Sequence, residues 1–161
     1  MVKVLVKRLN SKVKLPEYKT SGSSGMDLMA SIDSPIKIAP NTLELIPTGL
    51  SIAIPDDLEI QIRPRSGLAA KSNIGVLNTP GTIDSDYRGE LKIILFNHGN
   101  KDFIVNNNDR VAQMVLTPVI KMELEEVDQL PKTIRGSGGF GSTGKWKIFL
   151  VKNSLKDILD K

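Results

Sequence analysis

The feature that most limits how this chain can fold is a series of short apolar–polar alternations interrupted by prolines. Residues 50–54 and 58–62 alternate in this way, and each run stops close to a proline, Pro55 and Pro64. Alternation with a period of two places one face of a strand in the core, and proline ends strands because it has no N–H to donate to a ladder. Many short strands at intervals of roughly ten residues predict an all-β sandwich or barrel.

The same patterns predict where individual helices and strands begin and end. One internal helix is predicted over residues 66–72, about two turns long. The core should consist of Ile, Val and Leu, because aromatic residues make up only 4% of the 161. Strands are predicted at residues 2–7, 36–38, 50–54, 58–62, 91–96, 111–116 and 119–124.

Composition narrows the functional classes. There is no cysteine, which excludes a disulfide scaffold or a thiolate metal site. The first ten residues contain no apolar run suited to a signal peptide or a membrane span, so we expect a cytoplasmic protein without a membrane partner. The net charge is +4 without any basic run of five residues. This favours a small phosphorylated ligand over nucleic acid.

Two nucleotide-binding patterns overlap in the glycine-rich segment RGSGGFGSTGK at residues 135–145. Its glycines match G-x-G-x-x-G and, with Lys145, most of a P-loop, but Trp146 stands where Ser or Thr should hold magnesium. Both patterns require a helix after the glycines, whereas residues 145–151 are rich in aromatic and β-branched residues. We therefore interpret the segment as neither motif.

The densest polar segment is residues 78–89, which allows two interpretations. It can be a structural β-hairpin with its turn at Pro80-Gly81. It can also be part of an anion site, because residues 63–67 combine two arginines with a hydroxyl at the start of the predicted helix. Arginine forks and helix N-termini both suit phosphate oxygens.

Five motifs, in order, resemble those of the trimeric dUTPase family and span about 120 residues: SGMDL at 24–28, RSGLA at 65–69, IDSDYRG at 83–89, DRVAQ at 109–113 and RGSGGFGSTG at 135–144. The resemblance implies a jelly-roll-like distorted barrel with one short helix, assembled as a homotrimer with active sites shared between subunits. It implies hydrolysis of dUTP to dUMP and pyrophosphate with Mg²⁺, which keeps uracil out of DNA and supplies dUMP for thymidylate synthesis.

The same resemblance divides the chain. Residues 1–134 correspond to the β-domain, and residues 135–144 to a mobile glycine-rich arm that closes over the nucleotide. Here the chain departs from many family members, because 17 residues follow Gly144. Residues 145–161 are predicted to be a C-terminal extension, strand-like and then a short helix. It can fold back onto its own trimer, or it can dock a partner or latch the arm.

The family motifs also assign roles to residues. Asp84 matches the catalytic acid, which activates the water that attacks the α-phosphorus. Asp27 matches the acidic residue near the metal, acting through water, and Arg110 is expected to anchor the site by ion pairing. The implied substrate-binding residues are Arg65, Ser66, Gly67, Asn78, Gly81, Thr82, Ile83, Tyr87, Lys92, Gln113, Arg135, Phe140, Gly141, Ser142 and Thr143.

Within that set, the resemblance implies that Tyr87 packs against deoxyribose and excludes a ribose hydroxyl, and that Phe140 stacks on uracil.

Two alternative functions are considered beside dUTP hydrolysis. One is that of a dCTP deaminase, which shares the fold. The other is that of a dUTPase-like module that binds nucleotide without catalysis. The run Asp84-Ser85-Asp86-Tyr87 favours the hydrolase, and the intact motifs argue against a module that has lost activity.

Overall fold

The structure, a computed structural model, describes residues 2–139, which form eleven strands and one helix. The helix has seven residues, so this part of the chain holds no helix that could cross a membrane. The elements are β1 (Leu5–Arg8), β2 (Met26–Met29), β3 (Ile36–Ile38), β4 (Leu43–Pro47), β5 (Leu50–Ala53), β6 (Leu58–Arg63), α1 (Ser66–Ser72), β7 (Ile74–Val76), β8 (Gly81–Ile83), β9 (Lys92–Asn97), β10 (Phe103–Val105) and β11 (Arg110–Pro118).

The strands form four antiparallel sheets. The largest has the order β2-β11-β6-β8, the next has the order β4-β9-β7, and the pairs β1-β5 and β10-β3 complete the set. The predicted mostly β fold with one short helix is confirmed. Within residues 2–139 no sheet closes on itself, so the predicted jelly-roll-like distorted barrel is not seen there as a closed barrel.

The chain divides into two compact units, Met1–Lys121 and Met122–Lys161. All eleven strands and the helix belong to the first unit. The described part of the second, residues 122–139, contains no regular element. The arm residues Phe140 to Thr143 and the extension at 145–161 lie outside the described residues.

Several predicted boundaries agree with the structure, and two predictions are wrong. The helix at 66–72 and the strand at 36–38 coincide with α1 and β3. The strand predicted at 119–124 is absent, because β11 continues to Pro118 and the residues after it have no strand partner in this part of the chain. The hairpin, one of the two interpretations of residues 78–89, is also absent, since β7 pairs with β9 and β8 pairs with β6. The chain therefore crosses from one sheet to another between these two strands.

The core of the first unit is aliphatic, as predicted. Its fully buried members come from most of the strands, and none of the described ones is aromatic. Its largest fully buried apolar side chains are Leu28, Ile38, Ile46, Leu50, Ile74, Leu91, Ile93, Leu95, Val105 and Val111.

A tight turn between β4 and β5 connects this core to the segment before β9. Gly49 has a φ of 68°, in the left-handed region that favours glycine. The buried Thr48 donates its hydroxyl to the carbonyl of Leu91 at 2.7 Å. The Gly49 N–H donates to Oε1 of Glu90 at 2.8 Å. These bonds fix residues 90 and 91 against the turn.

Candidate functional site

A pocket of about 290 Å³ lies next to the carboxyl end of β8. Asp84 follows that strand directly, and its side chain is exposed to solvent, where it can contact a water molecule. The pocket brings together five residues that the sequence had selected and two that it had not. Its lining residues are Leu45, Thr82, Ile83, Asp84, Tyr87, Glu90 and Lys92.

The loop after Asp84 is held by its own hydrogen bonds. The Tyr87 N–H donates to the Asp84 carbonyl at 3.2 Å. The guanidinium of Arg88 donates to the carbonyls of Ser85 and Tyr87 at 2.6 and 2.9 Å. These contacts fix the positions of Asp84 and Tyr87 relative to one another, so the carboxylate and the aromatic ring reach the pocket together.

Glu90 and Lys92 form another side of the pocket. Lys92 Nζ lies 3.8 Å from Oε2 of Glu90, while the other carboxylate oxygen of Glu90 accepts from Gly49. Glu90 adjoins the 83–89 motif, and this adjacency was the one sequence signal that could have identified it. Leu45 lies in β4, far from any motif, and no signal in the sequence distinguishes it from other strand leucines.

The start of β8 contacts Asn78. Gly81 is buried, and a Cβ placed there would lie 3.1 Å from Nδ2 of Asn78 and 3.3 Å from Cβ of Ile62. The Asn78 amide therefore lies directly over the backbone of Gly81. β8 is the last strand of its sheet, so one side of its backbone has no strand neighbour within residues 2–139.

A second cluster joins three of the motifs through one carboxylate. Arg65 Nε lies 2.8 Å from Oδ1 of Asp27, and Arg110 Nη1 lies 3.2 Å from Oδ2. Arg65 also donates to the Arg110 carbonyl at 3.2 Å. Asp27 is only 19% exposed, so one shielded carboxylate orients both arginines. The ion pair expected for Arg110 is therefore present.

Strand pairing explains why this cluster forms. Gln113 of β11 stands opposite Asp27 of β2 on one side and Arg63 of β6 on the other. Its side-chain amide donates to the Pro64 carbonyl at 3.0 Å, which ties β11 to the segment leading into α1. Ser66 and Gly67 follow at the start of α1, both exposed, and a methyl on Gly67 would meet nothing within 4 Å.

The pocket and the Asp27 cluster do not meet in a single chain. In the β6–β8 pairing, Ile83 stands opposite Ile60 and Gly81 opposite Ile62. Asp84 thus lies beyond one end of this ladder and Arg65 beyond the other. At about 3.3 Å per residue, the two are separated by roughly 15–20 Å along the strands.

Arg135, predicted to bind phosphate, lies in the second compact unit. Its Nε donates to the Gly138 carbonyl at 2.8 Å, and the Gly136 N–H donates to the Thr133 hydroxyl at 3.0 Å. Gly136 has a φ of 52°, a conformation that glycine adopts at little cost. These contacts form a local turn at the beginning of the glycine-rich segment.

The side chains of the described residues are compatible with only one mode of magnesium binding. Residues 2–139 contain no group of three or more His, Cys, Asp or Glu that could enclose a metal ion. Both Asp27 oxygens accept from arginine, but a carboxylate has about four acceptor positions and can still accept from a water. This donor set fits an ion held mostly by substrate phosphates and water, as magnesium commonly is.

Residues 11–144 match the family model for dUTPase. The deoxyuridine 5'-triphosphate nucleotidohydrolase of Rickettsia massiliae is 53% identical over 145 residues, covering 89% of this chain and 98% of the relative. The protein of that name from Treponema denticola is 56% identical over 137 residues, covering 85% and 95%.

Solved structures give the same fold. A variant dUTPase of Staphylococcus bacteriophage 80alpha with dUpNHpp matches with a TM-score of 0.80 at 22% identity, over 89% of this chain and 99% of the other. A variant dUTPase of phage phi11 of S. aureus, which coordinates a structural Mg(II) ion, matches with a TM-score of 0.73 at 22% identity, over 81% and 99%.

Proposed function

The chain belongs to the dUTPase family, and on that premise we propose that it is a dUTP diphosphatase, which converts dUTP to dUMP and pyrophosphate. The observation that carries this proposal is the pocket in which the Asp84 carboxylate, the Tyr87 ring and the edge of β8 meet. Asp84 is the candidate general base, the Tyr87 ring can pack against the sugar, and the edge of β8 offers backbone groups to the nucleobase.

In the proposed reaction, Asp84 accepts a proton from a water molecule while that water attacks the α-phosphorus. The bond from that phosphorus to the bridging oxygen breaks, and pyrophosphate leaves. The exposure of the Asp84 side chain supports this role, because the water can reach it. A positioned general base contributes about 100- to 10,000-fold to the rate.

The phosphates would be bound by Arg65, Ser66, Gly67 and Gln113. Arg65 is oriented by Asp27 before any ligand arrives, so little side-chain freedom is lost on binding. The open space at Gly67 lets phosphate oxygens approach the backbone closely. Magnesium would be held by the phosphates and by water next to Asp27, and would offset negative charge on the phosphate oxygens.

Uracil would be read by the backbone of Gly81, Thr82 and Ile83 and by the Asn78 amide. An edge strand has unpaired N–H and C=O groups along one side, and such groups can match the polar edge of a base. A base with the wrong donor pattern would leave them buried and unpaired, which is a strong basis for rejection. Lys92 would contact the nucleotide through its backbone.

We propose that three chains assemble into a homotrimer with shared active sites. The separation of Asp84 from Arg65 along the β6–β8 ladder supports this, because one chain alone does not surround a triphosphate with both groups. In the second compact unit, the apolar side chains Met122 and Leu124 are 81% and 86% exposed. Another subunit can cover such side chains.

Solution mass tests the assembly. Light scattering should give three times the mass of one chain, at concentrations where the enzyme is active. Mixing Asp84→Asn chains with Arg65→Ala chains should restore part of the activity that each variant lacks, because a mixed trimer contains intact shared sites. A monomer that retains full activity would contradict the shared-site proposal.

The remaining family features are proposals for this chain. Residues 1–134 would be the β-domain. Residues 135–144 would be an arm in which Arg135 reaches the distal phosphates, Phe140 stacks on uracil, and Gly141, Ser142 and Thr143 contact the nucleotide. Residues 145–161 would be an extension. The enzyme would act in the cytoplasm, keeping uracil out of DNA and supplying dUMP for thymidylate synthesis.

A nucleotide panel tests the activity. With Mg²⁺, the purified protein should release pyrophosphate from dUTP and far less from dCTP, dTTP or UTP. Ammonia released from dCTP would instead identify a deaminase. Binding of dUTP without release of pyrophosphate would identify a non-catalytic binding module and would contradict the proposed function.

A further inference from the structure

The ring of Tyr87 lies over the backbone of Gly89. A Cβ added to Gly89 would lie 2.9 Å from Cε2 of that ring and closer still to its Cζ and hydroxyl oxygen. All three of the nearest heavy atoms belong to the Tyr87 side chain. The ring therefore occupies the space that a side chain at position 89 would take.

The far end of the ring is fixed by a hydrogen bond. The Tyr87 hydroxyl donates to the Glu90 carbonyl at 3.0 Å. That carbonyl is itself well anchored, because the Glu90 side chain accepts from Gly49 at 2.8 Å and the Leu91 N–H donates to the Leu50 carbonyl at 2.8 Å. The Tyr87 ring, which lines the pocket, therefore packs against residues 89 and 90. The β4–β5 turn holds these two residues in place.

We propose that Gly89 is a positioning residue that sets sugar specificity, because the absence of a side chain lets the Tyr87 ring lie where it excludes a ribose 2′-hydroxyl. This inference rests on the proposed function and deepens it. A methyl at position 89 would displace the ring by a distance on the order of 1 Å, and misplacement of that size can change rates by about 100-fold.

A backbone requirement does not account for this glycine. Its φ does not lie in the left-handed region, so alanine can adopt the same conformation. The atoms that a methyl would meet belong to the end of a side chain that is 43% exposed, which can move outward. Gly89→Ala should therefore shift the ring while leaving the fold intact.

The first test compares sugar selectivity. In Gly89→Ala, the ratio of kcat/KM for dUTP to that for UTP should fall about 10- to 100-fold. The melting temperature should fall by only a few degrees, because the displaced ring gives up one exposed hydrogen bond. Gly22→Ala is the matched control, because a methyl there meets nothing within 4 Å. In a Tyr87→Ala background, Gly89→Ala should cause no further fall, since the ring through which it acts is gone.

The second test observes the ring directly. The chain has two tyrosines, Tyr18 and Tyr87, so fluorotyrosine labelling gives two ¹⁹F signals, which Tyr18→Phe assigns. Gly89→Ala should shift the Tyr87 signal and leave the Tyr18 signal in place. An unchanged Tyr87 signal, an unchanged selectivity ratio, or equal losses for dUTP and UTP would overturn the inference.

Failure of the proposed function is recognised separately. If the wild-type protein releases no pyrophosphate from dUTP, that function is rejected. In that case two measurements test the role of Gly89. The ratio of the dissociation constants for dUTP and UTP and the ¹⁹F spectrum are each compared between Gly89→Ala and the wild type. A fall in that ratio with a shifted Tyr87 signal supports the inference, and no change in either overturns it.

Discussion

Asp84→Asn should lower kcat for dUTP by about 100- to 10,000-fold while leaving KM nearly unchanged. The asparagine has the same shape as the aspartate but cannot accept the proton of the attacking water. The side chain is exposed and lines the pocket rather than the core, so the fold should be preserved. Single-turnover measurement of pyrophosphate release gives the chemical step directly.

Asp86→Asn is the matched control for this substitution. Asp86 lies two residues further along the same loop, is also exposed, and does not line the pocket. It should retain turnover close to that of the wild type. If Asp84→Asn and Asp86→Asn behave alike, the assignment of Asp84 as the base is incorrect.

Asp27→Ala should lower the free energy of unfolding by about 2–3 kcal/mol. The substitution leaves the guanidinium groups of Arg65 and Arg110 side by side without their shared carboxylate. The loss should be smaller than for a fully buried pair, because the side chains of Asp27, Arg65 and Arg110 are 19%, 24% and 51% exposed. Urea denaturation at a fixed protein concentration measures it.

The same variant should also raise KM for dUTP, since Arg65 loses the contact that orients it. Glu17→Gln is the control for removing a carboxylate from an ion pair. Glu17 and Lys19 are 71% and 58% exposed. A hydrogen bond and the positive charge of Lys19 lower the pKa of Glu17, but pairs this exposed contribute little to stability. Equal stability of Asp27→Ala and wild type would refute the anchoring role of Asp27.

Short-range sequence patterns were sufficient to predict some of the strands and the described helix. Strand β3 is bounded by Pro35 and Pro40, and α1 follows Pro64, so both could be predicted from short stretches of sequence. β2 was missed because Met26 to Met29 shows no strict alternation between apolar and polar residues. Its strand geometry comes from pairing with β11, more than 80 positions away.

The candidate site was also only partly predictable. Asp84, Tyr87 and Lys92 lie within nine positions of each other, so a motif could indicate them together. Leu45 reaches the same pocket from β4, which no local pattern connects to β8. The hairpin interpretation failed for a related reason, since the choice of partner strand depends on sheets that assemble from distant segments.

Periodicity, the positions of proline and side-chain chemistry are properties of neighbouring residues, so the sequence was sufficient to predict the β class, the aliphatic core, the helix at residues 66–72 and the set of motifs. Which of the motifs meet depends on the tertiary fold. It joined Asp27 to Arg65 across 38 positions and to Arg110 across 83, and it separated this cluster from Asp84 by the length of the β6–β8 ladder. Strand order and register are set by contacts between distant segments, and no short stretch of sequence contains them.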